Sequence, residues 1–149
     1  MPPSIKALTS QKDRARPISV EERQGRLERA RALLTAEELD ALFLTGGTSL
    51  RYFTNISWGL SERLLGLILP REGRAFVVCP AFEHDRAQEQ IEAGPLKGTA
   101  DVMIWEEHED PYQRIAEGLR TRGITTGRLG VEETVRYVFG SGAAAALPA

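Results

Sequence analysis

The chain has 149 residues, a formal net charge of −2, 42% hydrophobic residues and 27% charged residues. That balance fits one globular domain able to bury a core, and it excludes a chain built around nucleic acid or an anionic membrane surface. Cys79 is the one cysteine, so no internal disulfide can form. A reducing compartment suits it, and with no run near ~18 apolar residues and no apolar N-terminal signal stretch the expected location is the cytoplasm.

In chain order, residues 1–18 are polar, proline-containing and aperiodic, and are expected to form a flexible leader. Ser19-Val-Glu-Glu22 has the spacing of a capping box, in which Ser19 accepts from the backbone three residues on and Glu22 reaches back. Val20, Leu27, Ala30, Leu33 and Leu34 follow at helical spacing and predict an amphipathic helix of about 16 residues. Arg23, Arg26, Arg29 and Arg31 alternate with Glu21, Glu22 and Glu28, which predicts a solvated helix face rather than a phosphate site. Residues 40–45 form a short apolar strand closed by Gly46-Gly47.

The stretch LRYFTNISWGLSERL, residues 50–64, sets Tyr52, Phe53 and Trp58 among Arg51, Glu62 and Arg63, while Asn55, Ser57 and Gly59 mark a loop. Two readings stay open for it. In one, a helical turn packs Tyr52 and Phe53 inward while Arg51 and Glu62 solvate its rim. In the other, the rings and charges form an anchor region at an interface or ligand mouth, where Trp, Tyr and Arg bury much area and keep a polar handle. Trp58 is expected to face the surface.

Residues 64–69 are apolar at every position apart from Gly66, as in a central strand covered on both faces. Pro70 to Gly73 turns the chain and residues 74–79 return as a hairpin partner. A helix over 82–92, a strand over 100–105, a helix over 111–122 with Asp110 as its cap and Pro111 in its first turn, and a strand over 128–131 complete the alternation. A helix begins within 134–139. The ending GSGAAAALPA, residues 140–149, is expected to be a low-complexity tail or linker. The sum is an α/β fold over residues 19–139: a three-layer domain with a mixed sheet of about five to six strands flanked by helices.

Self-sufficient chemistry is hard to find in these motifs. Glu83-His84-Asp85 and Glu106-Glu-His-Glu-Asp110 put histidine beside carboxylates, but neither has the i, i+4 spacing that aims two imidazoles at one metal. Cys79 lies in an apolar strand, as a packed thiol does. No nucleophile elbow and no phosphate loop occurs. Asn55-Ile-Ser57 matches a glycosylation acceptor only formally.

The order of motifs RLERARALL, LDALFLT, SLRYFTN, SERLLGLILPREG, WEEHEDP and GRLGVEETVRY resembles the N-terminal domain of the creatinase / Xaa-Pro peptidase, or pita-bread metallopeptidase, family, over residues 19–137. Within it the chain looks most like bacterial Xaa-Pro aminopeptidases and dipeptidases. The resemblance implies a ribonuclease H-like, non-catalytic domain that supports a homodimer or higher oligomer and lends side chains to the mouth of a catalytic site. Arg51, Tyr52, Phe53, Trp58, Glu62 and Arg63 would lie at that mouth or at the interface. It further implies a partner catalytic domain, absent from this chain, in which a pair of divalent metals (manganese, cobalt or zinc) activates water. No cofactor, metal ligand or catalytic residue is carried over onto this chain, which is expected to be inactive alone. An alternative is a stand-alone oligomerisation module of the same fold. Glu38 stands where relatives commonly have glycine, so a different ending of the first helix is expected. After Tyr137 the match fades, as in a truncated product or a split reading frame.

Overall fold

The structure, a computed structural model, describes Ile5 and residues 7–147. Met1 to Ser4 and Lys6 of the expected leader, and Pro148 and Ala149 of the expected tail, lie outside the described residues. Residues 7–18 are exposed and hold one 3-10 turn, Lys12–Arg14.

Helix α1, Val20–Ala36, starts where Ser19 accepts a hydrogen bond from the Glu22 amide at 3.1 Å. Half of the capping box forms, because the Glu22 carboxylate turns to Arg26 instead of reaching back. Strand β1, Ala41–Thr45, leads into the short helix α2, Thr48–Thr54. Strands β2, Gly66–Pro70, and β3, Ala75–Pro80, form the expected hairpin. Helix α3, His84–Glu92, follows a 3-10 turn, then come β4, Ala100–Trp105, and α4, Pro111–Arg120, capped by Asp110 on the Tyr112 amide at 2.9 Å. Strand β5, Leu129–Val131, and helix α5, Tyr137–Ala146, end the fold. No helix among the described residues is long and apolar enough to cross a membrane.

The five-stranded sheet has the order β4-β3-β2-β1-β5. Strand β2 runs antiparallel to β1 and β3, while β1 pairs β5 and β3 pairs β4 in parallel, so the sheet is mixed. Alternation along the strands feeds two cores. Leu44, Leu67, Leu69, Val77 and Cys79 pack toward α1, α2 and α3 through Leu27, Leu50 and Ile91. Phe43, Ile68, Phe76 and Val78 pack toward α4 and α5 through Ile115, Leu119, Phe139 and Ala143. Helices on both faces make three layers, and β2 is buried at every position because it lies at their centre.

Four expectations need correction. Arg23 and Arg26 are buried rather than solvated, at 7% and 8% exposure, whereas Val20 and Leu33 of the predicted apolar stripe are exposed. Glu38 does not change the helix ending: it adopts φ 54, Leu39 N–H donates to the Leu34 carbonyl at 2.8 Å and Glu38 N–H to Thr35 at 3.3 Å. That is the left-handed closure a glycine would make. Trp58 is buried, at 8% exposure, within the α1–α3 core. The segment expected as tail is helical through Ala146, with Ala143 fully buried against α4, because alanine has the highest helix propensity even where no polar-apolar period announces a helix.

A rim at one end of the sheet and a groove beside it

Register places Thr45 opposite Gly66 and Pro80 opposite Trp105, so β1, β3 and β4 end where β2 begins. The connections leaving that end carry most of the residues singled out in the sequence. Gly46 lets the 55–65 loop close over the end of β1, since a Cβ there would meet the Gly59 carbonyl oxygen at 2.9 Å. The loop is held at further points: Ser57 N–H donates to Gln90 Oε1 at 2.7 Å, Arg136 to the Ser61 carbonyl at 2.8 Å, and the Trp105 indole to the Leu64 carbonyl at 3.0 Å.

On this fixed loop Arg63 stands between Glu107, at 2.6 Å, and Glu62, at 3.0 Å, with its guanidinium carbon 5.6 Å from the Phe82 ring centroid. The charge-assisted hydrogen bond to Glu107 raises the Arg63 pKa above its ordinary value. Phe82 is 67% exposed and Leu60 54% exposed, so apolar area and ionic pairs share one rim. Trp58 lies beneath, with Arg86 stacked 4.1 Å from its ring centroid. Glu109 receives the Glu106 amide at 2.9 Å and the Arg114 guanidinium at 2.6 Å, and the Arg114 bond draws its pKa below the usual carboxylate range.

Arg51, Tyr52 and Phe53 belong elsewhere. They sit on α2, whose closing carbonyls are capped by side chains from α1. Arg23 donates to the carbonyls of Arg51 and Tyr52 and to Asn55 Oδ1, and Arg26 donates to the Tyr52 carbonyl at 2.9 Å. Burial, followed by the charges of Arg26 and Arg51, lowers the Arg23 pKa. The Tyr52 and Phe53 rings meet edge to face at 4.9 Å and line a groove of about 360 Å³ between α1 and α2. Among the described residues, the groove residues and the rim residues share no bonding partner. The structure therefore divides the six candidates into Trp58, Glu62 and Arg63 at the rim, and Arg51, Tyr52 and Phe53 on α2. Sequence reasoning missed Glu107 and Phe82 at the rim and Arg23 and Arg26 under α2. EHEDP had signalled only a helix start, and the arginines looked like surface charge.

The residues present do not fit a dinuclear metal site. Among the described residues no three His, Cys, Asp or Glu side chains are grouped to hold an ion. His84 is turned toward Asp85 at 3.1 Å, and His108 is exposed. Cys79 is fully buried and its thiol is pushed up to about 12, mainly by burial, so it is no nucleophile at neutral pH. The 55–65 loop and the turns after β3 and β4 thus set ion pairs and an exposed ring over one end of the sheet.

The arrangement is a mixed five-stranded sheet between helical layers, with ion-paired and aromatic loops gathered at one end. The chain belongs to the creatinase/prolidase N-terminal domain family, whose model matches residues 26–149. An uncharacterized peptidase of Schizosaccharomyces pombe is 35% identical over 137 residues, covering 84% of this chain and 29% of the relative. Among solved structures, dipeptidase PepE from Mycobacterium ulcerans superposes with a TM-score of 0.76 at 27% identity, covering 89% of this chain and 34% of that one. The N-terminal domain of Xaa-Pro dipeptidase from Lactobacillus brevis gives 0.72 at 21% identity, covering 83% and 89%, and supports the fold alone. The chain thus spans less than a third of the length of the curated relatives it matches.

Proposed function

We propose that this chain serves as the non-catalytic N-terminal domain of an Xaa-Pro dipeptidase-like metallopeptidase, shaping the substrate mouth of a catalytic domain and supporting a homodimer in the cytoplasm. The rim carries the proposal: Arg63, paired with Glu62 and Glu107 and lying over the exposed Phe82, is polar enough to face water and apolar enough to be covered by a docked surface. Trp58 supports that surface from below rather than touching a partner. Metal and catalytic bases would come from the catalytic domain, which in this class of enzyme supplies an activated water.

The purified chain, supplied with manganese, is expected not to turn over Xaa-Pro dipeptides; metal-dependent hydrolysis above background would overturn the reading. Analytical ultracentrifugation at high micromolar concentration should show self-association that Arg63→Glu weakens. A strictly monomeric chain at that concentration counts against the dimer, and an unchanged dimer in the variant counts against the rim.

A further inference from the structure

The groove between α1 and α2 is distinct from the rim and carries its own polarity. Its walls are apolar, with Leu33 63% exposed on α1 and Tyr52 47% exposed on α2, above Leu42 and Phe53. Arg29 lines it from the middle of α1 and Glu37 lines it at the helix end. Among the described residues neither side chain is engaged in an ion pair, whereas the neighbouring Arg26 is taken up by Glu22 and by the Tyr52 carbonyl. The Glu37 carboxylate stands at the C-terminal end of α1, whose last turn contains no basic residue. Arg128 reaches only the Glu37 backbone carbonyl, at 3.5 Å.

A cation and a carboxylate therefore flank the apolar stretch of the groove around Leu33. Glu37 lies eight positions after Arg29, or ~12 Å along the axis at 1.5 Å per residue. An extended peptide advances ~3.3–3.6 Å per residue, so about three to four residues bridge that span. We propose that the α1–α2 groove binds a short apolar peptide with free termini, its carboxylate at Arg29 and its ammonium at Glu37, with side chains lying on Leu33, Leu42, Tyr52 and Phe53. An acyl chain with a lone carboxylate would satisfy Arg29 but leave Glu37 without a counter-charge. The charge pattern thus favours the zwitterion.

Trileucine titrated into the 149-residue chain and followed by two-dimensional NMR should give saturable shifts at Leu33 and Tyr52. N-acetylation of the peptide should weaken binding about tenfold against wild type and leave it unchanged against Glu37→Gln. Amidation of its C-terminus should behave the same way with Arg29→Gln. Both variants change exposed side chains, and circular dichroism checks that they fold. The proposal is overturned by absence of saturable shifts up to ~10 mM, by equal affinity for capped and uncapped peptides, or by decanoate binding more tightly than trileucine.

Discussion

Glu38 is held at φ 54, where an L-residue bears a steric cost of ~1 kcal/mol that glycine avoids. Its own N–H and that of Leu39 already make both closing hydrogen bonds of the motif, so Glu38→Gly keeps the geometry and removes the strain. The expected gain is about 0.5–1 kcal/mol, seen as a rise of about 1–4 °C in Tm by calorimetry. Trp58 makes the opposite case. Its ring is buried beneath Arg86, so Trp58→Ala should cost about 3 kcal/mol in urea unfolding, the range for large aromatics removed from a core. A variant as stable as wild type would return Trp58 to the surface. Neither fact was legible in the sequence. A tryptophan flanked by Ser57 and Gly59 looks like a loop residue, and only the fold reveals that α3 and the sheet close over it. Arg23 and Arg26 were hidden for a related reason: their burial is satisfied by the carbonyl groups of α2, and hydrogen bonds to a distant backbone leave no periodic trace.

At the level of elements, strands were readable where burial on both faces leaves one consistent signal. Residues 64–69 and 74–79 are nearly uniformly apolar, and the turn from Pro70 to Gly73 could join them only as a hairpin. Helix α5 was unreadable beyond its start, because alanines and glycines show no polar-apolar period. Gly118 of α4 and Gly140 of α5 nonetheless differ in kind, while Gly142 of α5 is as crowded as Gly118, since a Cβ there would fall 2.4 Å from the Tyr112 ring. A Cβ on Gly118 would fall 2.4 Å from the fully buried Phe76 ring and 2.8 Å from Met103 Sδ, whereas on Gly140 it would meet nothing closer than Val135 Cγ1 at 3.5 Å. Gly118 is thus the point at which α4 approaches the sheet. Gly118→Ala should destabilise by about 1–3 kcal/mol through overpacking, outweighing its helix-propensity gain. Gly140→Ala, which has that gain without the clash, should stabilise by about 0.5–1 kcal/mol. Thermal melts of the two variants check the contrast, and equal effects of the same sign would contradict the packing.

For the molecule as a whole, the mixed sheet is both scaffold and seal. Its polarity gathers the 55–65 loop, the turn after β3 and the turn after β4 at one end, which no single motif announces because the three are far apart in sequence. The same sheet isolates Cys79, which lies on β3 between two hydrogen-bonded neighbours. Its pKa rises from the ordinary 9.0 to about 12, first through burial and then through the negative charge of Glu83. Between about 9 and about 12 the folded chain keeps a proton that the unfolded chain has lost. The stability this provides is fully present below about 9 and drains away as pH rises toward the folded value. Urea midpoints across that window should fall more steeply for wild type than for Cys79→Ala, which has no thiol to titrate. At about neutral pH, thiol labelling should proceed no faster than exchange of the β3 amides, since both need the sheet to open. Faster labelling would mean that a local path reaches Cys79 without separating the strands.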